Sequence, residues 1–195
     1  MRGKVSFIKP MLLLRADALP SDAGQWEYQL KLDGYRAVAF KGGKVHLRSR
    51  NDNDCGARYG QVLHGLAGMP PETVIDGEVV ALDETGRPSF NLLQNYASGA
   101  APLVFFVFDV MMLRGRDLSG HPLVTRRELL EQKILPTLRD PVRYAAPLDA
   151  PLSSFDSRGQ DTRLRGTRRE AARQSSDSSN SSNGPATTIC GMRAS

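Results

Sequence analysis

Cysteine is nearly missing from this 195-residue chain: Cys55 and Cys190 lie far apart. They match neither a disulfide framework nor a metal-ligand spacing, so a reducing compartment, the cytoplasm, is the expected location. Long apolar runs are missing too. None approaches the ~20 residues of a membrane-spanning helix, and no membrane role is expected. The opening "MRGKVSFIKPMLLL" has a basic start. Lys9 and Pro10 interrupt it, and no small-residue cleavage site follows, which makes it a poor secretory signal. No internal repeat is present. Lysine disappears after Lys133, although arginine continues to the end.

The rest supports one domain with a real core, or one domain plus a tail. Net charge is +5 and the pI about 9.5, which suits a polyanionic partner but carries little weight alone. Composition divides the chain near residue 150. Residues 1–150 have balanced charge and regular apolar patterning. Residues 151–195 hold ten serines, seven arginines and no lysine. So few large apolar residues cannot offset the entropy of ordering, and this tail is expected to be disordered. Only "TRLRGTRREAARQ" reads as a short helix.

Within the first part, "WEYQLKL" alternates strictly. Trp26, Tyr28, Leu30 and Leu32 form one face, and Glu27, Gln29, Lys31 and Asp33 the other. Asp33-Gly34 is a two-residue turn signal, so "YQLKLDGYRAVAF" reads as a β-hairpin. "KVHLRSR" continues the strands after Gly42-Gly43. "RYGQVLHGLAGM" reads as a short helix, and "SFNLLQNYAS" as a helix with Ser89 as N-cap. "TRRELLEQKIL" is a helix ended by Pro136. "ETVIDGEVVAL" and "LVFFVFDVMML" are apolar enough to be buried strands. The expected class is α+β: antiparallel sheets with flanking helices.

Three polar features interrupt this pattern. Lys31 precedes the Asp-Gly turn, Asp76-Gly77-Glu78 sits within a Val/Ile strand, and "SRND" ends a strand with Arg50 at the sheet margin. Buried carboxylates are costly unless they meet a cation or metal. Lys31, Arg36, Arg50 and a divalent ion are the candidates. From these residue types alone, a structural salt-bridge network and an active site are equally good readings.

"KLDGYR" resembles the nucleotidyltransferase signature of ATP-dependent DNA ligases, RNA ligases and mRNA capping enzymes. "LRSRN", "VIDGEVVAL" and "FVFDVMML" resemble the motifs that follow it, in the family's order. The flanks "FIKPML", "PSFNLLQNY" and "PLVTRRELLE" are similar to bacterial end-joining ligases of the ligase D type. The resemblance covers roughly residues 5–150. It implies a truncated nucleotidyltransferase (ATP-grasp-like) adenylation domain.

The resemblance also implies roles. Lys31 would attack the α-phosphorus of ATP, leaving AMP on the lysine, and Arg36 across the turn would help keep the amine neutral. Arg50 and Glu78 would lie near the ribose, with Glu78 also orienting magnesium or its waters. Phe108 would stack on adenine, whereas Phe106 is better read as core. Gln29 and Leu30, just before the nucleophile, complete the implied nucleotide contacts; ligases usually carry glutamate at the position of Gln29. Magnesium would neutralise the triphosphate and assist pyrophosphate departure. The implied partners are nicked or broken double-stranded DNA, held through its backbone, and end-joining proteins, with the chain itself a monomer.

Two family motifs beyond residue 150, Glu-Gly-x-x-x-Lys and Lys-x-Lys, have no counterpart in a chain with no lysine after Lys133. The resemblance also implies a second, OB-fold domain, which these 195 residues are not expected to contain. We expect the tail to be an out-of-frame translation and the activity to be impaired. The alternative is a catalytically inactive nucleotide- or DNA-binding remnant.

Overall fold

The computed structural model describes residues 5–11, 26–97, 101–148, 164–168 and 188–190. Its centre is a six-stranded sheet in the order β3-β2-β4-β5-β6, with β7 also paired to β5. The strands are β2 (Tyr35–Lys41), β3 (Val45–Ser49), β4 (Thr73–Ala81), β5 (Leu103–Leu113), β6 (Arg116–Asp117) and β7 (Val142–Tyr144). All pairs are antiparallel except β5–β7, so the sheet is mixed. β4 is central and buried along its whole length, which is why it reads as a continuous apolar run.

Strand alternation sends side chains to two different environments. Ala37, Ala39, Ile75, Val79, Phe105 and Val107 face the main core. That core is closed by Val62 and Leu66 of α1 (Gly60–Gly65) and its C-cap, by Leu93 of α2 (Phe90–Gln94), and by Leu130 and Ile134. On the opposite face Val38, Val74 and Met111 form a smaller cluster covered by Val5, Phe7 and Ile8. Beyond that cluster the same face turns polar.

The helices follow the sequence signals. Ser89 caps α2, its hydroxyl oxygen accepting from Leu92 N at 3.4 Å. α3 (Leu123–Leu129) continues into a wider turn over Leu130–Ile134 and ends in a tight turn at Leu135–Thr137 that contains Pro136.

β1 (Trp26–Leu30) departs from expectation. It is not hairpin-paired with β2. It lies in a separate sheet, antiparallel to β8 (Leu164–Arg168), which in turn pairs with β9 (Thr188–Cys190). The Asp33-Gly34 segment therefore crosses between sheets, and Gly34 is not a positive-φ glycine. The apolar face of β1 is also misread by alternation: Gln29 is 3% exposed and Leu30 52%. The reason is that Gln29 satisfies its amide inside the protein, donating to Ala145 O at 2.6 Å. Residues 164–168 form a strand where the tail reading expected a short helix, and residues 188–190 form another. The remainder of the tail lies outside the described residues.

Candidate active site

The polar end of the sheet's second face gathers residues from three strands. Arg36 on β2 stands opposite Glu78 on β4, and Glu78 stands opposite Phe106 on β5. Between Asp76 and Gly77 the β4–β5 register slips by one residue. Asp76 pairs with Asp109 and Gly77 with Val107, which leaves Phe108 as the extra residue of a β-bulge. A bulge re-aims the side chain it carries. Here it accompanies the Phe108 ring lying 4.5 Å from the Arg36 guanidinium carbon.

Arg36 grips Asp76 through two parallel bonds, Nε to Oδ1 at 2.7 Å and a terminal nitrogen to Oδ2 at 2.8 Å. This geometry fixes the guanidinium plane as well as its charge. Burial works against that charge, but the Asp76 carboxylate outweighs it, with Glu78 and Asp109 adding to the effect. Arg36 thus titrates above its ordinary range. Its charge is largely engaged by Asp76, which leaves less of it to act on Lys31 than the sequence reading assumed.

Gly34 joins the Lys-Asp-Gly segment to this face. Its N–H donates to Glu78 Oε1 at 3.0 Å. A Cβ at Gly34 would lie 2.2 Å from Val79 O, so only glycine lets the two backbones approach this closely. The same reasoning explains Gly77, where a Cβ would meet Phe106 O at 2.5 Å and the Phe105 ring at 2.6 Å. Glycine is chosen at both positions for close approach.

Lys31 follows β1 directly and is half-buried. Among the described residues it has no hydrogen-bond or ion-pair partner. Glu78 and Phe108 are buried, Phe106 is half-buried, and Arg50 is exposed in the turn after β3. The geometry thus brings together Gly34, Arg36, Asp76, Glu78 and Phe108. It leaves Arg50 and Leu30 at the surface. Among the described residues no three His, Cys, Asp or Glu side chains are grouped to hold a metal. A single carboxylate such as Glu78 fits magnesium held chiefly by a nucleotide's phosphates and water, rather than by a protein cage.

A family model described as an ATP dependent DNA ligase domain matches residues 10–146. The chain belongs to this ligase family. It is 40% identical over 129 residues to the multifunctional non-homologous end joining protein LigD of Pseudomonas aeruginosa, covering 64% of this chain and 15% of that protein. It is 32% identical over 143 residues to DNA ligase C1 of Mycolicibacterium smegmatis, covering 65% of this chain and 41% of the relative. The ligase domain of Mycobacterium tuberculosis LigD superposes with a TM-score of 0.71 at 31% identity, covering 86% of this chain and 56% of that one. A mycobacterial DNA ligase D complexed with ATP and MES gives a TM-score of 0.70 at 30% identity, with the same coverage. The chain therefore spans well under two thirds of the length of each.

In this ligase domain, four further charged residues support the site that sequence reasoning had not singled out. Asp109 is held by Arg126, Nε to Oδ1 at 2.8 Å and a terminal nitrogen to Oδ2 at 3.0 Å, and Arg126 also donates to His121 O at 2.5 Å. Arg127 pairs with Glu27 of β1 and donates to Phe108 O at 3.2 Å. A signal existed: Asp109 interrupts an apolar strand just as Asp76 does, and a charge there requires a buried partner. Nearby, burial pushes the Tyr144 phenol up, and the Glu131 carboxylate adds to the shift.

Proposed function

We propose that this chain is the adenylation domain of an ATP-dependent DNA ligase serving the repair of DNA breaks. Lys31 is the nucleophile. The observation that carries this reading is the Gly34 N–Glu78 Oε1 bond, which joins the Lys-Asp-Gly segment to the strand bearing Asp76 and Glu78. Three motifs separated in sequence, those carrying Gly34 and Arg36, Asp76 and Glu78, and Phe108, thereby contribute to one neighbourhood. A purely structural salt-bridge network would not require a half-buried lysine, without a partner among the described residues, at its edge.

In the proposed step the neutral amine of Lys31 attacks the α-phosphorus of ATP. A P–N bond forms, the bond to the β-phosphate oxygen breaks, pyrophosphate departs and the amine proton passes to solvent. Phe108 offers its ring to the adenine, and Arg36 keeps that ring in place from the other side. Gln29, Leu30 and Arg50 complete the nucleotide contacts in this proposal, with Glu78 near the ribose. Magnesium would supply charge neutralisation of the triphosphate when bound, and Glu78 would orient it or its waters. Broken double-stranded DNA in the cytoplasm is the proposed substrate, met by a basic chain acting as a monomer. Among the described residues no helix is long and apolar enough to cross a membrane.

The second reading is a nucleotide- or DNA-binding remnant without catalysis. It is favoured by the absence of any lysine after Lys133. Incubation with ATP labelled in the α-phosphate separates the two. Adenylation leaves an acid-labile label on the denatured protein, and Lys31→Ala removes it with little change in stability, within about 0.5 kcal/mol. Label retained in the Ala variant would assign the nucleophile to another lysine. No label in the unaltered chain, despite measurable ATP binding, would favour the remnant.

A further inference from the structure

Arg126 and Arg127 are adjacent on α3, and both are buried. Successive helical positions point about 100° apart, so the two guanidinium groups serve different neighbours. Arg126 neutralises Asp109. Arg127 has an arrangement of a different kind, because its two contacts belong to different sheets. One is the carboxylate of Glu27 on β1, and the other is the backbone carbonyl of Phe108 at the β5 bulge, 3.2 Å from Nε.

We propose that Arg127 is a positioning residue for the adenylation step, clamping the strand that delivers Lys31 to the strand that carries Phe108. Lys31 leaves β1 one residue after its end, and Glu27 lies within β1. Two further ties of β1 to the body are Gln29 Nε2 to Ala145 O at 2.6 Å and Leu148 N to Tyr28 O at 2.7 Å. Both reach the segment after β7 rather than the nucleotide face. Arg127 alone among these ties also touches Phe108. Its planar fork reaches both walls at once, which a single ammonium cannot do. The bulge adds a reason for the contact. A bulge disrupts the ladder locally, and Arg127 supplies a donor to the Phe108 carbonyl at that place.

This inference rests on the reading of Lys31 as the group that meets the nucleotide. Its test therefore uses a readout that does not need turnover. Adenosine bearing a 5′-sulfonyl fluoride places an electrophile where the phosphates would lie. Lysine attack forms an N–S bond, with loss of fluoride and the amine proton. The maximal labelling rate at Lys31, located by mass spectrometry, reports its placement, and the half-saturating concentration reports nucleoside binding.

For Glu27→Gln we expect the maximal rate to fall about tenfold or more, on the scale at which small misplacements cost up to ~10²-fold, with half-saturation within about twofold. Arg127→Gln should lower the rate similarly and also weaken half-saturation, because Phe108 is released. Arg127→Lys should recover part of the rate and none of the nucleoside binding. Circular dichroism checks each fold, and Glu27→Gln decides the matter should Arg127→Gln not fold. Unchanged maximal rates in the folded variants would overturn the proposal. So would an unaltered protein that binds the probe without labelling Lys31. An unaltered protein that labels Lys31 but never forms the AMP adduct would overturn the adenylation reading instead, leaving the clamp comparison valid.

Discussion

Asp76 and Asp109 stand directly opposite one another on β4 and β5, and each is held by its own arginine in a two-pronged grip. Like charges in facing positions repel, so the arrangement depends on both guanidinium groups. Arg36 and Arg126 approach the pair from different elements, a neighbouring strand and a helix.

The Arg126–Asp109 pair gives a stability prediction. Arg126→Met leaves a buried carboxylate beside Asp76 without its cation, and such losses cost about 3–5 kcal/mol. Removing both partners, Arg126→Met with Asp109→Leu, should cost much less than the sum of the two single changes, because no uncompensated charge remains. Urea unfolding of the two single variants and the double variant measures this coupling. Additive losses would mean that the pair is not an energetic unit.

Gly34→Ala tests the close approach at the site. Its Cβ would meet Val79 O at 2.2 Å, so the segment must shift and its bond to Glu78 must lengthen or break. Overpacking of this kind costs about 1–3 kcal/mol. AMP adduct formation should fall with it, since the same segment carries Lys31. Gly43→Ala is the control, with nothing within 4 Å of the added carbon and an expected change within about 0.5 kcal/mol. Equal behaviour of the two variants would remove the steric argument.

How much of this was legible in the sequence depends on the residue. β4 and β5 were readable because long Val/Ile/Phe runs have one environment available to them, the middle of a sheet. Ser89 was readable because capping is local chemistry, settled within three residues. The Asp33-Gly34 segment was half readable. Glycine is required there, but for an approach to Val79 on a distant strand, which no local rule reports. β1 was misread for the same reason: alternation assumed that Gln29 seeks water, and its partner is the carbonyl of Ala145. Asp76 and Glu78 were legible as anomalies, whereas their partners were legible only as a set of candidates. Arg126 and Arg127 stayed hidden because helical arginines ordinarily face solvent, and only tertiary packing shows that these do not.

Asp83 offers a pH prediction in the loop between β4 and α2. Its Oδ1 accepts from Thr85 Oγ1 at 2.7 Å, Thr85 N at 2.8 Å and Arg87 N at 2.9 Å. The Thr85 hydroxyl bond, then the Arg87 backbone bond, hold the carboxyl below its ordinary value. A carboxylate depressed in the folded state contributes stability above its unfolded pKa, and that contribution is lost as pH falls through the folded pKa. Carbon-detected NMR titration should place the Asp83 midpoint below the ordinary aspartate value, and Thr85→Val should raise it. A midpoint unmoved by Thr85→Val would show that the backbone donors alone set it.

The last prediction concerns rate. ATP-dependent ligases resembling this chain carry a carboxylate and three lysines in motifs beyond the position of residue 150, whereas this sequence has no lysine after Lys133. Groups of that kind act mainly on the charge that develops as pyrophosphate leaves, so their absence falls on the transition state more than on ground-state binding. Removing one preorganised donor to a developing anion costs ~10²–10³ in rate, and the effects of several need not add. Self-adenylation by the 195-residue chain should therefore run at least ~10³-fold slower than in a ligase that carries those lysines, with nick sealing undetectable. Nucleotide binding should survive in weakened form, because Arg36, Glu78 and Phe108 are assembled without the tail. Titration with ATP and sealing of a nicked duplex, measured on the same preparation, separate these effects. Sealing at a rate near that of a complete ligase would mean that residues 151–195, or a partner chain, supply the cationic groups from elsewhere.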